Sequence, residues 1–429
     1  MERWQRTYRA VFAANLVAAL GMMSFLPFFP SLLEGMGVTE RGPLEFWSGL
    51  CFGAAPLMAA LMGPLWGALG DRFGRKLMVL RSLLALTLFV GLMGFARRPE
   101  ELLVLRLAQG AFSGFIAPSI TLVSMGAAAG RQGRVAGGLQ MATAIGAIVG
   151  PLLGAFVAEY FGLDAVFALV AVTTAIGALV VALFAEDTGD PVEKALEAAG
   201  GRAPLRGRAS PLAILQSSAR EIAELVRNPR LRTALLVLFA TQFGLGATTP
   251  LLELFVRDLG DQPFGLASAK LTGALFSAAA VFNVIVMPWW GRHGDRGGHA
   301  RALYQSAAGS AVALILCGLA PAYLVLLAAR ALQGAASGGL SPNAYGVAAE
   351  ETGAARRGAA FGSVFSAGAM AMAVAAVAGG SLAAVLGVRG VFFTAGAIPI
   401  VVLLWTRLRR PPPAPVPKQH PLPTLAKSH

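Results

Sequence analysis

The chain has 429 residues, 56% of them hydrophobic and 13% charged, with a formal net charge of +13. Soluble domains carry about 25% charged residues, so this composition excludes an ordinary water-soluble fold. The positive charge raises nucleic acid as a partner, a reading that the placement of the basic residues removes.

In chain order, apolar runs of about 20 residues, enough to cross about 30 Å of hydrocarbon, recur about twelve times. They cover residues 10–32, 47–69, 77–96, 102–125, 135–158, 163–184, 232–256, 268–290, 302–320, 322–347, 358–385 and 388–406. Lipid offers the backbone no hydrogen-bond partners, so runs this long predict α-helices rather than barrel strands. The N-terminal MERWQRTYR and the apolar run after it exceed a signal-peptide core and predict an uncleaved anchor. With the N-terminus in the cytoplasm, about 27 of the 35 Lys and Arg fall inside and about 6 outside, leaving Arg106 and Arg330 in the membrane. That bias predicts a multi-pass protein of the inner (plasma) membrane with both termini cytoplasmic, and explains the charge without nucleic acid. Cys51 and Cys317 lie in separate spans, and the four histidines are confined to one loop and the tail. No disulfide framework, metal site or cofactor follows.

Residues 185–230 interrupt the apolar pattern with Gly, Pro and mixed charge, as a cytoplasmic linker does. It separates an N-terminal bundle, residues 1–184, from a C-terminal bundle, residues 231–407. Within it SPLAILQSSAREIAELVRNP predicts a short amphipathic helix, capped by Ser210 and ended by Pro229. The proline-rich tail, residues 408–429, reads as disordered.

The two halves repeat. PLWGALGDRFG at 64–74 echoes PWWGRHGDRGG at 288–298, and Asp71 pairs with Asp295 at an offset of 224 (295 − 71 = 224). Arg106 and Arg330, Gln109 and Gln333, Gly110 and Gly334, and Pro118 and Pro342 keep that offset. The fold class is therefore all-α membrane protein, with twelve transmembrane helices in two pseudo-symmetric six-helix bundles and a path between them.

On these motifs the sequence resembles the major facilitator superfamily, in particular its drug:proton antiporter branch. GPLWGALGDRFGRKLMVLR is similar to the loop 2–3 signature, LLVLRLAQGAFSGFIAP to the helix 4 arginine motif, and GAIVGPLLGAF to the helix 5 antiporter motif. The stretch from WSGLCFG to Ser82 resembles multidrug exporters of the tetracycline and fosfomycin resistance type. The resemblance implies proton-coupled export of small amphiphilic or drug-like compounds by a monomer in the bilayer.

Glycines at 63, 67, 70 and 74 permit a sharp turn and close helix approach. Asp71, placed just past the second helix, can accept from a helix N-terminus. The resemblance makes Gly67, Asp71, Arg72, Gly74 and Arg75, with Asp295 and Arg296 in the second copy, a clamp between the halves; simple orientation of the chain by these charges stays open. A guanidinium inside a span costs about 2.5–3.5 kcal/mol, so Arg106 and its repeat at Arg330 call for a polar cavity or an internal partner, with snorkelling to the membrane surface as the other reading. The resemblance gives Arg106 proton coupling. Gly146, Gly150 and Gly154, beside Pro151, make a smooth helix face suited to packing against the other half, or to ordinary small-residue packing.

A drug-sized cavity needs apolar walls and a few polar anchors. Asn15, Met22, Met23, Phe25, Gln242, Phe243, Asn283, Asn343 and Tyr345 are candidates, each with core packing as the alternative. Many drug exporters carry a membrane carboxylate in helix 1, and this sequence does not. Glu34 and Glu253, near the outer ends of the first and seventh helices, are the available proton carriers, with surface charge as the other reading. Rival functions are lipid flipping or metabolite transport by the same fold; an enzyme would need His, Cys or paired carboxylates at membrane depth.

Overall fold

A computed structural model describes residues 3–114, 118–120, 122–123, 132–186, 220, 224, 227–261, 263–352 and 357–408. The amphipathic helix of the linker and the proline-rich tail fall almost wholly outside these residues. Among the described residues, nine helical stretches are long and apolar enough to cross a membrane. One of them, Arg357–Leu408, is two spans that meet at Gly387, where φ is 69° and ψ is 167°. Two shorter helical segments, Pro99–Phe112 and the pair Tyr323–Ser337 and Leu340–Glu351, hold the fourth and tenth places. Nine stretches, one of them double, and these two make twelve spans.

Span 1 runs from Arg3–Phe25 through a 3₁₀ turn, Leu26–Phe28, into Phe29–Gly35. Span 7 repeats that break, from Pro229–Thr248 through Thr249–Leu251 into Leu252–Leu259. Pro27 and Pro250, placed in the two 3₁₀ turns, remove a donor from each helix. Span 2 is Arg41–Phe73, span 3 Arg75–Met93, span 5 Gln132–Phe161, span 6 Leu163–Phe184, span 8 Ser268–Gly297 and span 9 His299–Leu319. Several spans outrun their apolar stretches, because helical hydrogen bonding continues beyond the hydrocarbon. This corrects two expectations. Asp71 and Asp295 lie inside spans 2 and 8, and the helices stop at Gly74 (φ 93°, ψ 146°) and Gly298 (φ 90°, ψ 129°), a left-handed conformation that glycine adopts without strain.

The halves pack alike. Span 1 lies on spans 5 and 6 as span 7 lies on spans 11 and 12, and span 2 lies on span 4 as span 8 lies on span 10. The indole N–H of Trp66 donates to the carbonyl of Ala111 at 2.6 Å, and that of Trp290 to Ala335 at 2.8 Å. Gly110 is pressed on the Ala55 carbonyl and Gly334 on that of Ala279. All four pairs keep the offset of 224 (334 − 110 = 224; 279 − 55 = 224).

Between the halves, span 2 meets span 11 and span 8 meets span 5. Gly49 and Gly53 approach the carbonyls of Ala376 and Ala373, and Gly380 approaches that of Glu45. Gly273 faces the Pro151 carbonyl, and the Ser277 hydroxyl donates to the carbonyl of Ile148 at 2.6 Å. These contacts begin at the membrane end that carries Glu253 and run inward; Gly63, nearer the other end, has nothing within 4 Å of a would-be side chain.

A methyl group at Gly110 or Gly334 would overlap a backbone carbonyl, so Gly110→Ala and Gly334→Ala should each cost about 1–3 kcal/mol. Gly291→Ala, in open space, should be neutral. Melting temperatures of the detergent-solubilised variants check this.

Candidate functional site

Three groups of residues come together: two buried arginines, an ionic seal between the halves, and the paired glycine-rich turns. Arg106 on span 4 is 2% exposed. Its Nε donates to the Cys51 carbonyl at 2.9 Å, Nη1 to Gln109 Oε1 and Nη2 to the Phe52 carbonyl at 3.3 Å. The Phe29 and Phe25 rings lie 5.1 and 5.6 Å from the guanidinium. Carbonyls already bonded within a helix keep a second lone pair, and span 2 is near enough to offer it because Gly110 lets spans 2 and 4 touch. Snorkelling is therefore not how this cation is accommodated. Arg330 keeps the copy of the side-chain contact, Nη1 to Gln333 Oε1 at 2.9 Å, and lies 6.0 Å from the centre of the Phe276 ring, while its Nε has no partner. No carboxylate pairs with either arginine among the described residues.

Glu34 and Glu253, expected as separate charges, converge on Arg257. Arg257 Nη1 donates to both Glu34 oxygens at 2.6 and 2.7 Å, while Nη2 reaches Glu253 Oε1 at 2.7 Å and Ser31 Oγ at 2.6 Å. Ser31 donates to Glu253 through its hydroxyl and, at 3.3 Å, through its backbone N–H. The 3₁₀ turns of spans 1 and 7 deliver these residues, since each turn redirects the last helical segment toward the other half. Two further ion pairs cross between the halves at the same end. Arg41 grips Asp258, and Lys270 meets Glu159 at 2.6 Å.

Of the clamp residues, Gly67, Asp71 and Arg72 lie on span 2 with side chains outside the description, and Arg75 opens span 3. Arg296 sits in the last turn of span 8. Asp295 stays within its own half, 3.5 Å from His299 Nε2. The antiporter glycines follow the second of their two readings, small-residue packing inside one half. Gly146, Gly150 and Gly154 pack on Ala19, Leu20, Met23 and Ser24 of span 1, inside the N-terminal half. The edge of span 5 that meets the other half is formed by Ile148, Pro151 and Ala155.

Three cavity candidates are instead held in the bundles. Asn343 is fully buried, its Oδ1 accepting from His299 Nδ1 at 3.1 Å and its Nδ2 donating to the Gly339 carbonyl at 2.8 Å. Phe25 meets Phe29 edge to face and Phe167 at a tilt in the N-terminal core. Asn15 is buried too, taking a hydrogen bond from Ser119 at 2.9 Å with its Nδ2 unpartnered. Met22, Gln242, Phe243 and Asn283 are half-buried, and Asn283 donates to Ser337 at 3.2 Å.

Two residues escaped the sequence reading. Arg81 on span 3 lies 3.6 Å from the centre of the Trp66 ring. Glu45 on span 2 is 1% exposed. A charge within a few residues of each span's start was the available signal, hidden for Glu45 because the apolar run was begun at residue 47.

A twofold-repeated pair of six-span bundles that meet at one membrane end defines the class of secondary transporters with two rocking halves. A family model described as Major Facilitator Superfamily matches residues 11–309 and, again, 234–428. The Multidrug resistance protein MdtG of Proteus mirabilis is 30% identical over 344 residues, 79% of each chain. Its namesake from Dickeya zeae is 31% identical over 341 residues, 79% of this chain and 78% of that one. Among solved structures, the D-xylose-proton symporter superposes with a TM-score of 0.73 at 15% identity, covering 94% of this chain and 97% of the other. The human organic anion transporter MFSD10 (TETRAN) does so at 0.68 and 21%, covering 94% and 99%. The chain belongs to the major facilitator superfamily.

If Arg257 ties the halves, Arg257→Gln should raise labelling of a Ser31→Cys protein by a membrane-impermeant thiol reagent several-fold from the Glu253 side. The native thiols are buried and give a low background. Unchanged labelling would mean that other contacts alone hold this end shut.

Proposed function

We propose that this chain is a monomeric exporter of small amphiphilic compounds, driven by protons through alternating access, in the cytoplasmic membrane with both termini inside. The observation that carries the reading is the ionic seal: every ion pair described between the halves lies at one end, so one gate is closed by contacts that rocking can exchange. The positive-inside bias makes that end the outer one. In this orientation the glycine-rich turns at Gly74 and Gly298 are cytoplasmic, and Asp71 with its neighbours would close the inner gate when the outer one opens.

The likeness to multidrug resistance proteins over 79% of the chain supports drug-like cargo rather than a lipid or a sugar. Half-buried Met22, Phe243, Gln242 and Asn283 offer adaptable apolar surface with amide anchors, which suits varied ligands. Arg106 keeps a fixed positive charge beside span 2, so a proton and a cationic drug would each feel it differently in the two conformers; only such a difference couples them. Glu34 and Glu253 change partners whenever the seal opens, and they are the coupling carboxylates of this reading.

Expression in an efflux-deficient bacterium should raise resistance to lipophilic compounds several-fold, and a protonophore should abolish the gain. Asp71→Asn and Arg106→Ala should do the same at unchanged protein level. Resistance that survives the protonophore would overturn proton coupling. Purified protein in liposomes under an imposed pH gradient, offered drugs, lipids and sugars in turn, separates export from flipping and uptake.

A further inference from the structure

Arg81 lies inside the third apolar run, on the side of span 3 that faces lipid. Leu77, Leu84 and Leu88, each more than half exposed, flank it at the spacing of a single helix face. A cation in such a stripe is costly unless a partner neutralises it or its stem reaches the interface. Among the described residues no carboxylate pairs with Arg81. Its hydrogen bonds stay on its own helix: Nη2 donates to Ser82 Oγ at 2.9 Å, and Nη1 lies 3.8 Å from Met78 Sδ, a weak acceptor. The buried Nε has no partner. The guanidinium is held by shape instead, its carbon 3.6 Å from the centre of the Trp66 ring.

Trp66 is itself fixed by the bond from its indole N–H to the Ala111 carbonyl of span 4. Its ring meets Phe112 at 5.8 Å, and Phe112, which is exposed, meets Phe89 at 5.9 Å. An aromatic row therefore leads from Arg81 past Trp66 and Phe112 to Phe89, two turns deeper along span 3. The second copy keeps this scaffold and drops the charge. Trp290 makes the same indole bond, to Ala335, but the position matching Arg81 is Gln305 (81 + 224 = 305), which pairs with His293 at 2.7 Å. The indole contact stands there without a cation, so packing at Trp66 does not account for Arg81.

We propose that Arg81, laid on Trp66, binds the phosphate of an anionic phospholipid in the leaflet at the Gly74 end of the bundle, with an acyl chain along Phe112, Leu84 and Leu88. A guanidinium flat on an indole keeps its edge free, and two Nη groups on that edge match two phosphate oxygens. Arg81 stands seven residues past Gly74, about 10 Å along the helix, and its long stem carries the charge back toward headgroup depth. A soluble phosphate would have to pass acyl chains to reach this face, whereas a lipid phosphate is already beside it. A zwitterionic headgroup brings its own ammonium, so a net-negative one answers the unpaired cation better. Lys76, nearer the turn, is directed to span 6, where it donates to the Ala182 carbonyl at 2.8 Å.

The bound lipid ties span 3 to span 2 and, through the Trp66 indole, to span 4, bracing the N-terminal bundle beside its glycine-rich turn. With the orientation proposed above this leaflet is the inner one. The site depends neither on that orientation nor on transport.

The test uses the full-length protein in a neutral detergent, melted alone and with phosphatidylglycerol, phosphatidylcholine or inorganic phosphate. A ligand that binds only the folded state raises the melting temperature. Phosphatidylglycerol should raise it by several degrees, phosphatidylcholine by less than half as much and inorganic phosphate not at all. Arg81→Gln should lose most of the phosphatidylglycerol increment, whereas Arg232→Gln, which removes an exposed cation on span 7, should keep it. Native mass spectrometry should show a phosphatidylglycerol retained by the wild type and lost from Arg81→Gln. Equal shifts from the two lipids overturn the proposal, as does a shift of the same size from inorganic phosphate, or an Arg81→Gln protein that keeps the increment. The lipid and phosphate comparisons are made on the unaltered chain, so they decide the matter even where Arg81→Gln fails to fold. No cargo is needed, so a failure of drug export beside an intact lipid response would count against the export reading alone.

Discussion

The structure depends on helices that touch backbone to backbone. Between helices in lipid there is no hydrophobic force, so contact comes from close van der Waals approach where side chains are smallest. Gly110 on Ala55 and Gly334 on Ala279 weld spans 2 to 4 and 8 to 10. Gly146, Gly150 and Gly154 do the same for spans 1 and 5. The buried arginine follows from this contact, since Arg106 can draw on the carbonyls of Cys51 and Phe52 only because span 2 lies against span 4.

The same device serves two ends. Inside each half the glycine contacts are flanked by large buried side chains such as Leu83, Leu86 and Val170, which hold the bundle as one body. Between the halves the contacts at Gly49, Gly53, Gly273 and Gly380 are flanked by ion pairs instead. Exposed pairs contribute about 0–1 kcal/mol each. A seal of small apolar contacts and exchangeable charges is weak enough to open, whereas the bundles on either side are not.

Asymmetry enters where the copies differ. Each nitrogen of the Arg106 guanidinium donates to an acceptor, whereas Nε of Arg330 has none. Glu45 has no twin, while the breaks in spans 1 and 7 are near copies that carry different residues: Ser31 and Glu34 on one side, Glu253 and Arg257 on the other. Duplication supplied the scaffold, and divergence at one rim of it supplied complementary charge.

By itself the sequence determined the helical class, the number of spans, the repeat at 224 and the two buried arginines. These follow from length, apolar composition and the cost of charge in lipid, which act on each segment separately. Only the tertiary structure decided who meets whom: that Glu34 and Glu253 share Arg257, that the antiporter glycines face span 1, that Asn343 is held within its bundle, and that Glu45 is buried. The reason is rotational. A lipid-facing residue such as Phe156 and a core residue such as Phe255 are equally apolar, so hydropathy fixes a helix in the membrane without fixing which face it turns to its neighbours.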